Sequence, residues 1–240
     1  SSRSAADGLI GFKSFDGKSF MVEINCETDF AAKDTLFDDF VSNISKLILS
    51  DSIDTIDQLN VKGIDEFGTV EDFRKFVVSK IGENIMIRRF ESIQLNGTAG
   101  SYIHGNKIAS LAIIENGDEQ LAKDIAMHVA ASQPEYIQFS DIPEDLLNQE
   151  KKILTKQVED EGKPAEIVPK IVEGKLNKQL NSITLMGQEF IKDPDLTVAK
   201  LLDKNGASVV SFIRYEVGEG VEVEEVNFAD EVKAQVDAVN

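Results

Sequence analysis

The side chains that most often carry covalent or metal chemistry are scarce in this chain. Cys26 is its only cysteine, and His104 and His128 are its only histidines. The three lie far apart in sequence, so their spacing does not match that of a metal site, and none is paired with a nucleophile or base in a known motif. There is also no Gly-x-x-x-x-Gly-Lys-Ser/Thr loop to cradle a phosphate. We therefore expect no catalytic residue, no metal site and no cofactor.

Each of these three residues has a simpler structural interpretation. Cys26 follows an apolar run and is expected to be a small core residue. His128 lies beside Val129 in a helical pattern, which favours a structural histidine with satisfied hydrogen bonds. His104 precedes Gly105 at a turn, where we expect it to be exposed and available for contact.

The most distinctive stretch, residues 25–33, lies at a junction between a strand and a helix. A strand-like run over residues 20–24 precedes it, and a helical pattern begins near Asp34. Thr28 and Asp29 are a typical helix-start pair, because either side chain can accept hydrogen bonds from free backbone N–H groups. Loops held by rigid elements often carry function, so this junction is the first candidate for a binding site.

Phe30 follows directly, at a position where a short loop is expected to be polar. From residue types alone there are two interpretations. Phe30 can begin the buried face of the helix, packed as a staple against the strand, which is the commoner position for an aromatic residue. Alternatively, it can project from the loop and bind a partner.

Hydrophobic periodicity and turn signals predict the other elements. The predicted strands lie at 8–15, 18–25, 85–91, 99–104, 107–115 and 207–215. The predicted helices lie at 34–48, 69–80, 118–132 and 196–202, with a helical hairpin at 143–181 and a short acidic helix near the end of the chain.

The segment 143–181 differs in character from the rest. Leu154 and Val158 recur at a spacing of four in a run rich in Lys, Glu and Gln, and Gly-Lys-Pro at 162–164 separates two helices. Pro169 would remove a hydrogen bond from a helix that began at residue 164. The second helix is therefore expected either to begin or to bend near Pro169.

These elements predict an α+β fold with two related subdomains, each a small antiparallel sheet covered by helices. An antiparallel helical hairpin is inserted into the second subdomain, and a helix ends the chain. We expect the first subdomain at 5–97, the second at 98–142 and 184–220, the hairpin at 143–183 and a C-terminal helical module at 221–240.

The chain is strongly acidic, with 25 Lys and Arg against 43 Asp and Glu and a net charge of −18. Direct binding of nucleic acid needs a basic surface, so this charge argues against such a partner and allows a basic or mixed-charge protein. No apolar run is long enough to span a bilayer, and we expect no membrane contact. A single cysteine excludes an intrachain disulfide and fits a reducing, cytoplasmic setting.

Five segments, in order along the chain, resemble motifs of one family: translation elongation factor Ts, the guanine-nucleotide exchange factor of elongation factor Tu. The first contains the junction, Glu-Ile-Asn-Cys-Glu-Thr-Asp-Phe-Ala-Ala-Lys. The similar segments are 23–33, 80–85 with Arg88 and Arg89, 101–105, 125–134 and 212–220. The hairpin resembles the coiled-coil insert through which many bacterial members dimerise.

The resemblance implies a mechanism by protein contact, without covalent chemistry. Asp29 and Phe30, with Thr28 before them, correspond to the loop that inserts beside the nucleotide and magnesium site of the GTPase. Ile81 and Gly82 match positions that support the same interface. The positions that meet another domain of the partner are His104, Ile191 and Lys192, the last of which is apolar in some members.

Family members begin with a small three-helix domain that also contacts the GTPase, and no such domain precedes Ser1. Either this chain is a fragment or the organism dispenses with that domain, and in both cases we expect reduced exchange activity. The resemblance as a whole implies a bacterial-type member with the coiled-coil insert. A second hypothesis is a non-catalytic scaffold that stabilises elongation factor Tu or holds it in a larger assembly, with self-association through residues 143–183. An enzyme is not expected.

Overall fold

The structure, a computed structural model, describes residues 4–15 and 17–221. The chain divides into two compact units, Ser1–Ile93 with Tyr215–Asn240 and Gln94–Arg214. Both units combine helices with small sheets, which confirms the predicted α+β class. The predicted acidic C-terminal helix lies outside the described residues.

The first unit contains a three-stranded sheet, one pair of short strands and four helices. Its elements are β1 (Asp7–Phe15), β2 (Lys18–Cys26), α1 (Asp29–Ala32), α2 (Thr35–Ser50), α3 (Ile56–Asn60), β3 (Gly63–Ile64), β4 (Gly68–Thr69), α4 (Val70–Ile81) and β5 (Met86–Gln94). The sheet has the order β1-β2-β5, and β3 pairs only with β4. The β1–β2 pairing is antiparallel and runs from Asp7 opposite Cys26 to Phe15 opposite Lys18, so the predicted N-terminal hairpin is confirmed.

Helix α2 covers this sheet because its apolar residues recur at spacings of three and four. Phe37, Phe40 and Ile44 are fully buried in the resulting core. The Phe40 ring meets Phe73 of α4 edge-on, with 5.0 Å between ring centroids. Helix α4 begins at a reciprocal cap formed by Thr69 and the third helical residue, Asp72, which agrees with the predicted start of this helix near residue 69.

The second unit contains another three-stranded sheet, packed helices and a helical hairpin. Its elements are β6 (Thr98–His104), β7 (Ile108–Glu115), α5 (Glu119–Ser132), a 3-10 helix (Phe139–Asp141), α6 (Glu144–Asp160), α7 (Val168–Ile183), β8 (Glu189–Phe190), β9 (Asp193–Thr197), α8 (Val198–Lys204) and β10 (Ser208–Glu216). The sheet has the order β10-β7-β6, with β6 and β7 antiparallel. Helix α5 lies so close to β6 that a Cβ atom at Gly100 would stand 2.2 Å from the helix backbone.

Helices α6 and α7 form the predicted hairpin around a small core of their own. Leu154 and Val158 of α6 pack with Val168 and Val172 of α7. Helix α7 begins at Val168, so Pro169 lies in its first turn, where the missing N–H group has no intrahelical partner to lose. This resolves the alternative that the sequence left open: the helix begins at this point and does not bend there.

A buried carboxylate fastens the end of the described chain to the sheet of the first unit. Glu23, in the middle of β2, is 0% exposed. Its Oε1 atom accepts hydrogen bonds from the Gly218 amide at 2.8 Å and from Asn25 Nδ2 at 3.0 Å. Its Oε2 atom accepts from Arg89 Nε at 2.6 Å, and Arg88 Nη1 lies 3.1 Å from Oε1. Residues 195 positions apart in sequence are thereby joined.

The two arginines extend this cluster along the end of β10 and the segment that follows it. Arg89 Nη2 donates to the Glu216 carbonyl oxygen at 3.2 Å, and its guanidinium lies over the Tyr215 ring at 4.2 Å. Arg88 donates to the carbonyl oxygen of Glu219. A planar guanidinium suits this combination of ion pair, hydrogen bond and stacking.

The net pKa of Glu23 lies below its ordinary value. Burial by itself raises the pKa, but the hydrogen bonds from the Gly218 amide, Asn25 and Arg89 outweigh burial. A carboxylate whose pKa is lowered by folding stabilises the fold above its unfolded pKa, and this stability is lost as the pH falls through the folded value.

Replacing Glu23 by Gln should lower the free energy of unfolding at pH 7 by about 3 kcal/mol, because Arg88 and Arg89 would remain partly buried without their carboxylate. The difference between wild type and variant should shrink below the ordinary glutamate pKa of 4.5. Urea unfolding followed by circular dichroism at pH 7 and pH 4 measures both quantities. An equal difference at the two pH values would contradict a contribution from the ionised carboxylate.

Candidate partner-binding site

The segment of residues 27–33, termed the junction loop, connects β2 to α2 and contains the single turn α1. Thr28 caps that turn, since its hydroxyl oxygen accepts a hydrogen bond from the Ala31 amide at 3.3 Å. Cys26 is fully buried before the loop, and its thiol donates to the Thr28 carbonyl oxygen at 3.2 Å. Asp34 then caps α2 with its side chain. The predicted cap at Thr28 and the predicted core position of Cys26 are confirmed.

Phe30 projects into solvent, with 80% of its surface exposed. Its neighbours Ala31 and Ala32 are buried in the core of the first unit. Successive residues of a helix are rotated by about 100°, so a turn that buries residues 31 and 32 carries residue 30 away from the core. The interpretation of Phe30 as a buried staple is therefore wrong, and the aromatic ring is available to a partner.

Asp29 and Lys33 form an ion pair along the outer side of this turn. Lys33 Nζ lies 2.7 Å from Asp29 Oδ2, and both side chains are largely exposed. The hydrogen bond to Asp29, reinforced by its charge, raises the pKa of Lys33. An exposed pair of this kind contributes little stability, so either member can exchange its partner for a charged group on another protein.

A carboxylate from a distant part of the chain holds the start of the junction loop. Glu83 Oε2 accepts hydrogen bonds from the amides of Glu27 at 3.1 Å and Thr28 at 3.0 Å. Glu83 Oε1 accepts from the Thr28 hydroxyl at 2.6 Å. In return, Glu27 Oε1 accepts from the Asn84 amide at 2.7 Å. The loop is thus bonded through both backbone and side chains to the segment that follows α4.

Gly82 turns the chain between α4 and Glu83. It ends the helix in the left-handed conformation, with φ at +82°, and its amide donates to the Val78 carbonyl oxygen at 2.8 Å. Glycine adopts this conformation without steric cost. Ile81, just before it, is half-buried against the core of the first unit. The structure therefore joins Ile81 and Gly82 to the junction loop through Glu83.

The other predicted contact residues lie in the second unit. His104 is exposed at the end of β6, as expected, with its ring 6.5 Å from that of Tyr102. Ile191 and Lys192 lie between β8 and β9, and 44% of Ile191 is exposed. The Lys192 ammonium pairs with Asp124 of α5 at 2.7 Å.

A buried histidine holds the backbone at Ile191. His128 is 0% exposed, and its Nδ1 atom accepts a hydrogen bond from the Ile191 amide at 3.2 Å. Because a backbone N–H can only donate, Nδ1 carries no proton, and the proton of the neutral ring lies on Nε2. Nε2 then donates to Gln188 Oε1 at 2.9 Å. Gln188 Nε2 donates in turn to the carbonyl oxygens of Ser132 at 3.1 Å and Ser182 at 2.8 Å.

This arrangement favours the neutral ring. Burial lowers the pKa of His128, although the hydrogen bond with Gln188 raises it in part. Protonation of Nδ1 would also place a second donor against the Ile191 amide. The predicted role of His128 as a satisfied structural histidine is confirmed.

Sequence reasoning placed Thr28, Asp29 and Phe30 together but assigned no role to Glu83 and no link between His128 and Ile191. One signal was available for Glu83, because it lies three residues after the predicted helix end at Lys80 and within a family motif. Its target, 55 residues away, is not specified by any local pattern.

Among residues 4–15 and 17–221, no group of His, Cys, Asp and Glu side chains could hold a metal ion. In the same part of the chain, no helix has the length and apolar character to cross a membrane.

Comparison with known proteins decides the family. Residues 27–219 match the family model described as Elongation factor TS. The chain is 48% identical to Elongation factor Ts of Methylococcus capsulatus over 99% of its own length and 82% of the relative's. It is 45% identical to Elongation factor Ts of Hydrogenovibrio crunogenus over 99% of its own length and 81% of the relative's length. It is 42% identical to Elongation factor Ts of Legionella pneumophila over 98% of its own length and 81% of the relative's length.

The chain belongs to the elongation factor Ts family. Its function is guanine-nucleotide exchange on elongation factor Tu during translation elongation. Exchange, the first of the two hypotheses from the sequence, is thereby confirmed. Elongation factor Ts is a nucleotide exchange factor and not a catalytic enzyme in the usual sense.

Replacing His128 by Gln should lower the free energy of unfolding at pH 8 by about 1–3 kcal/mol, because the Ile191 amide and the Gln188 side chain would lose an aligned hydrogen-bond partner. The difference from wild type should diminish as the pH falls through and below about 6.5, where the unfolded histidine binds a proton that the folded one resists. Chemical unfolding of both proteins between pH 5 and pH 8 tests this. Parallel stability curves across that range would contradict it.

Proposed function

We propose that the junction loop is the element that enters elongation factor Tu beside its nucleotide and magnesium site, with Phe30 as the inserting side chain. The observation that carries this proposal is an exposed aromatic ring on a backbone held in place by hydrogen bonds. A fixed loop loses little conformational entropy on binding, so more of the binding free energy remains to distort the partner.

The reaction follows from differential binding. An exchange factor accelerates release only if it binds the nucleotide-free GTPase more tightly than the GDP form, and linkage requires that GDP weaken its binding equally. An inserted phenyl ring satisfies this condition when it occupies space that opens only as the magnesium and phosphate contacts loosen. Asp29, now paired with Lys33, supplies a carboxylate that can transfer to a cation on the partner.

We assign the supporting contacts by position. Ile81 and Gly82 present the segment that holds the loop, and they border the same interface. His104, Ile191 and Lys192 form a second contact with another domain of elongation factor Tu. Their exposure supports this assignment, and the hydrogen bond from Ile191 to His128 supports a fixed backbone there.

The proposed mechanism needs no enzyme chemistry and no cofactor of its own. The net charge of −18 disfavours direct contact with nucleic acid or anionic lipid, so we propose a protein partner alone. Translation elongation in bacteria such as those of the compared relatives takes place in the cytoplasm, and we place this activity there.

Replacing Phe30 by Ala should reduce the acceleration of GDP release by about 10-fold to 100-fold, since a phenyl ring buried on a partner contributes roughly 1.5–3 kcal/mol. The free energy of unfolding should change by less than about 0.5 kcal/mol, because the ring is exposed in the free protein. The measurement is stopped-flow release of a fluorescent GDP analogue from elongation factor Tu under excess unlabelled GDP.

Val61→Ala is the matched control, because Val61 is also an apolar side chain of the first unit and is 73% exposed. It should exchange nucleotide at the wild-type rate. Full activity of a folded Phe30→Ala protein would overturn the proposed role of the ring.

We further propose that residues 143–183 form a module through which two copies of the chain associate. This module is separate from the two subdomains, the first at 5–97 and the second at 98–142 and 184–220. Ile153 and Ile167 support this, because they remain 43% and 44% exposed on the hairpin outside its small core. Exposed apolar side chains on paired helices are typical of helical interfaces.

Replacing both Ile153 and Ile167 by Lys should shift the protein toward monomer in sedimentation velocity at micromolar concentration, because two charges would enter the interface. Nucleotide exchange measured in dilute solution should remain at the wild-type rate, since the junction loop is untouched. If the wild-type protein sediments as a monomer and the variant has the same sedimentation coefficient, self-association through residues 143–183 is ruled out.

A further inference from the structure

The single turn α1 cannot hold its own shape. It contains only Asp29–Ala32, and a helix of this length has no stability in water because nucleation outweighs the few hydrogen bonds formed. The orientation of Phe30 must therefore come from contacts outside the turn. The two buried alanines fix one side of it, but they leave the preceding backbone at residues 27 and 28 to be fixed by other groups.

Glu83 supplies those contacts. All three of its hydrogen bonds to the junction loop end on the two residues that precede α1, the Glu27 amide, the Thr28 amide and the Thr28 hydroxyl. Hydrogen bonds to a carboxylate are stronger than those to a neutral acceptor, and the 2.6 Å contact with the hydroxyl has the short length expected of such a bond. The Thr28 hydroxyl is thereby also oriented to accept from the Ala31 amide.

The position of Glu83 is itself fixed by the backbone. Gly82 in the left-handed conformation ends α4 immediately before it, and the Asn84 amide immediately after it donates to Glu27 Oε1. The carboxylate is therefore held between two anchored neighbours. It lies in a rigid frame, which is the arrangement that a precisely positioned binding element needs.

We propose that Glu83 is a positioning residue for nucleotide exchange: its carboxylate fixes the backbone at Thr28 and so presents Phe30 in the orientation that enters elongation factor Tu. This inference rests on the proposed role of Phe30. Glu83 does not need to touch the partner, because it acts through the junction loop.

Replacing Glu83 by Ala removes all three acceptors and should reduce the acceleration of GDP release about 10-fold, which corresponds to about 1.4 kcal/mol. Glu83→Gln should retain most of the activity. Its amide oxygen can accept from both backbone N–H groups, and its NH₂ group can donate to the Thr28 hydroxyl oxygen. The stopped-flow release of a fluorescent GDP analogue measures both variants.

A second measurement reports the orientation of the side chain directly. The chain contains no tryptophan, so Phe30→Trp introduces a single tryptophan at the inserting position, which can be excited selectively over the three tyrosines. Its time-resolved anisotropy in the free protein should show restricted motion, and adding Glu83→Ala should increase the amplitude of fast motion. A residue that only stabilised the fold would lower the free energy of unfolding without changing this signal in the folded protein.

Glu71→Ala is the matched control. Glu71 is also a half-buried glutamate of the first unit, at the opposite end of α4, where its carboxylate binds Arg74 at 2.7 Å. Its loss should lower stability but leave exchange and anisotropy unchanged.

A double-mutant cycle with Phe30→Ala separates the two ideas. If Glu83 acts through Phe30, Glu83→Ala should cause no further loss in the Phe30→Ala background. A large loss from Phe30→Ala with full activity of Glu83→Ala would overturn the positioning role and leave the inserting ring intact. An equal loss from Glu83→Ala in both backgrounds would also overturn it. Full activity of Phe30→Ala would instead refute the proposed function on which the inference depends.

Discussion

The hydrogen bonds between the Glu83 carboxylate and Thr28 hold the backbone that carries the exposed Phe30 ring. The proposed role of Phe30 requires an apolar ring that is exposed to water and is still held in one orientation. Burial, the usual means of immobilising an aromatic side chain, is not available for Phe30. The fold instead immobilises the backbone beneath the ring, by burying Ala31 and Ala32 and by bonding the residues before them to a distant carboxylate.

Elsewhere in the chain, buried polar side chains also hold a distant backbone segment by accepting a hydrogen bond from its amide. In the second unit, His128 accepts from the amide of the exposed Ile191. In the first unit, Glu23 accepts from the Gly218 amide and joins the segment after β10 to β2. Each case places an acceptor against a backbone N–H. Glu23 also accepts from Asn25 and Arg89, and the His128 ring also donates to Gln188, so burial of either group costs less than it would for an isolated group. Side chains from distant sequence thus set the backbone where local structure is weakest.

Much of the fold could be predicted because it depends on short-range chemistry. The β1–β2 hairpin follows from a turn between alternating segments, and α4 follows from the cap at Thr69 and the apolar spacing after it. The start of α7 could only be narrowed to two possibilities, because Pro169 is compatible with a first turn or with a bend. Packing of Val168 and Val172 against α6 decided between them.

The sequence by itself determined the class of the fold, the cap at Thr28 and, through its motifs, the family and its exchange function. Only the tertiary structure decided that Phe30 points outward, that Glu83 holds the junction loop and that His128 fixes Ile191. The physical reason is that helix caps and hydrophobic periods act over a few residues, whereas these contacts join residues separated by 55 to 63 positions. Their partners are chosen by how the elements pack, and no local spacing encodes that choice.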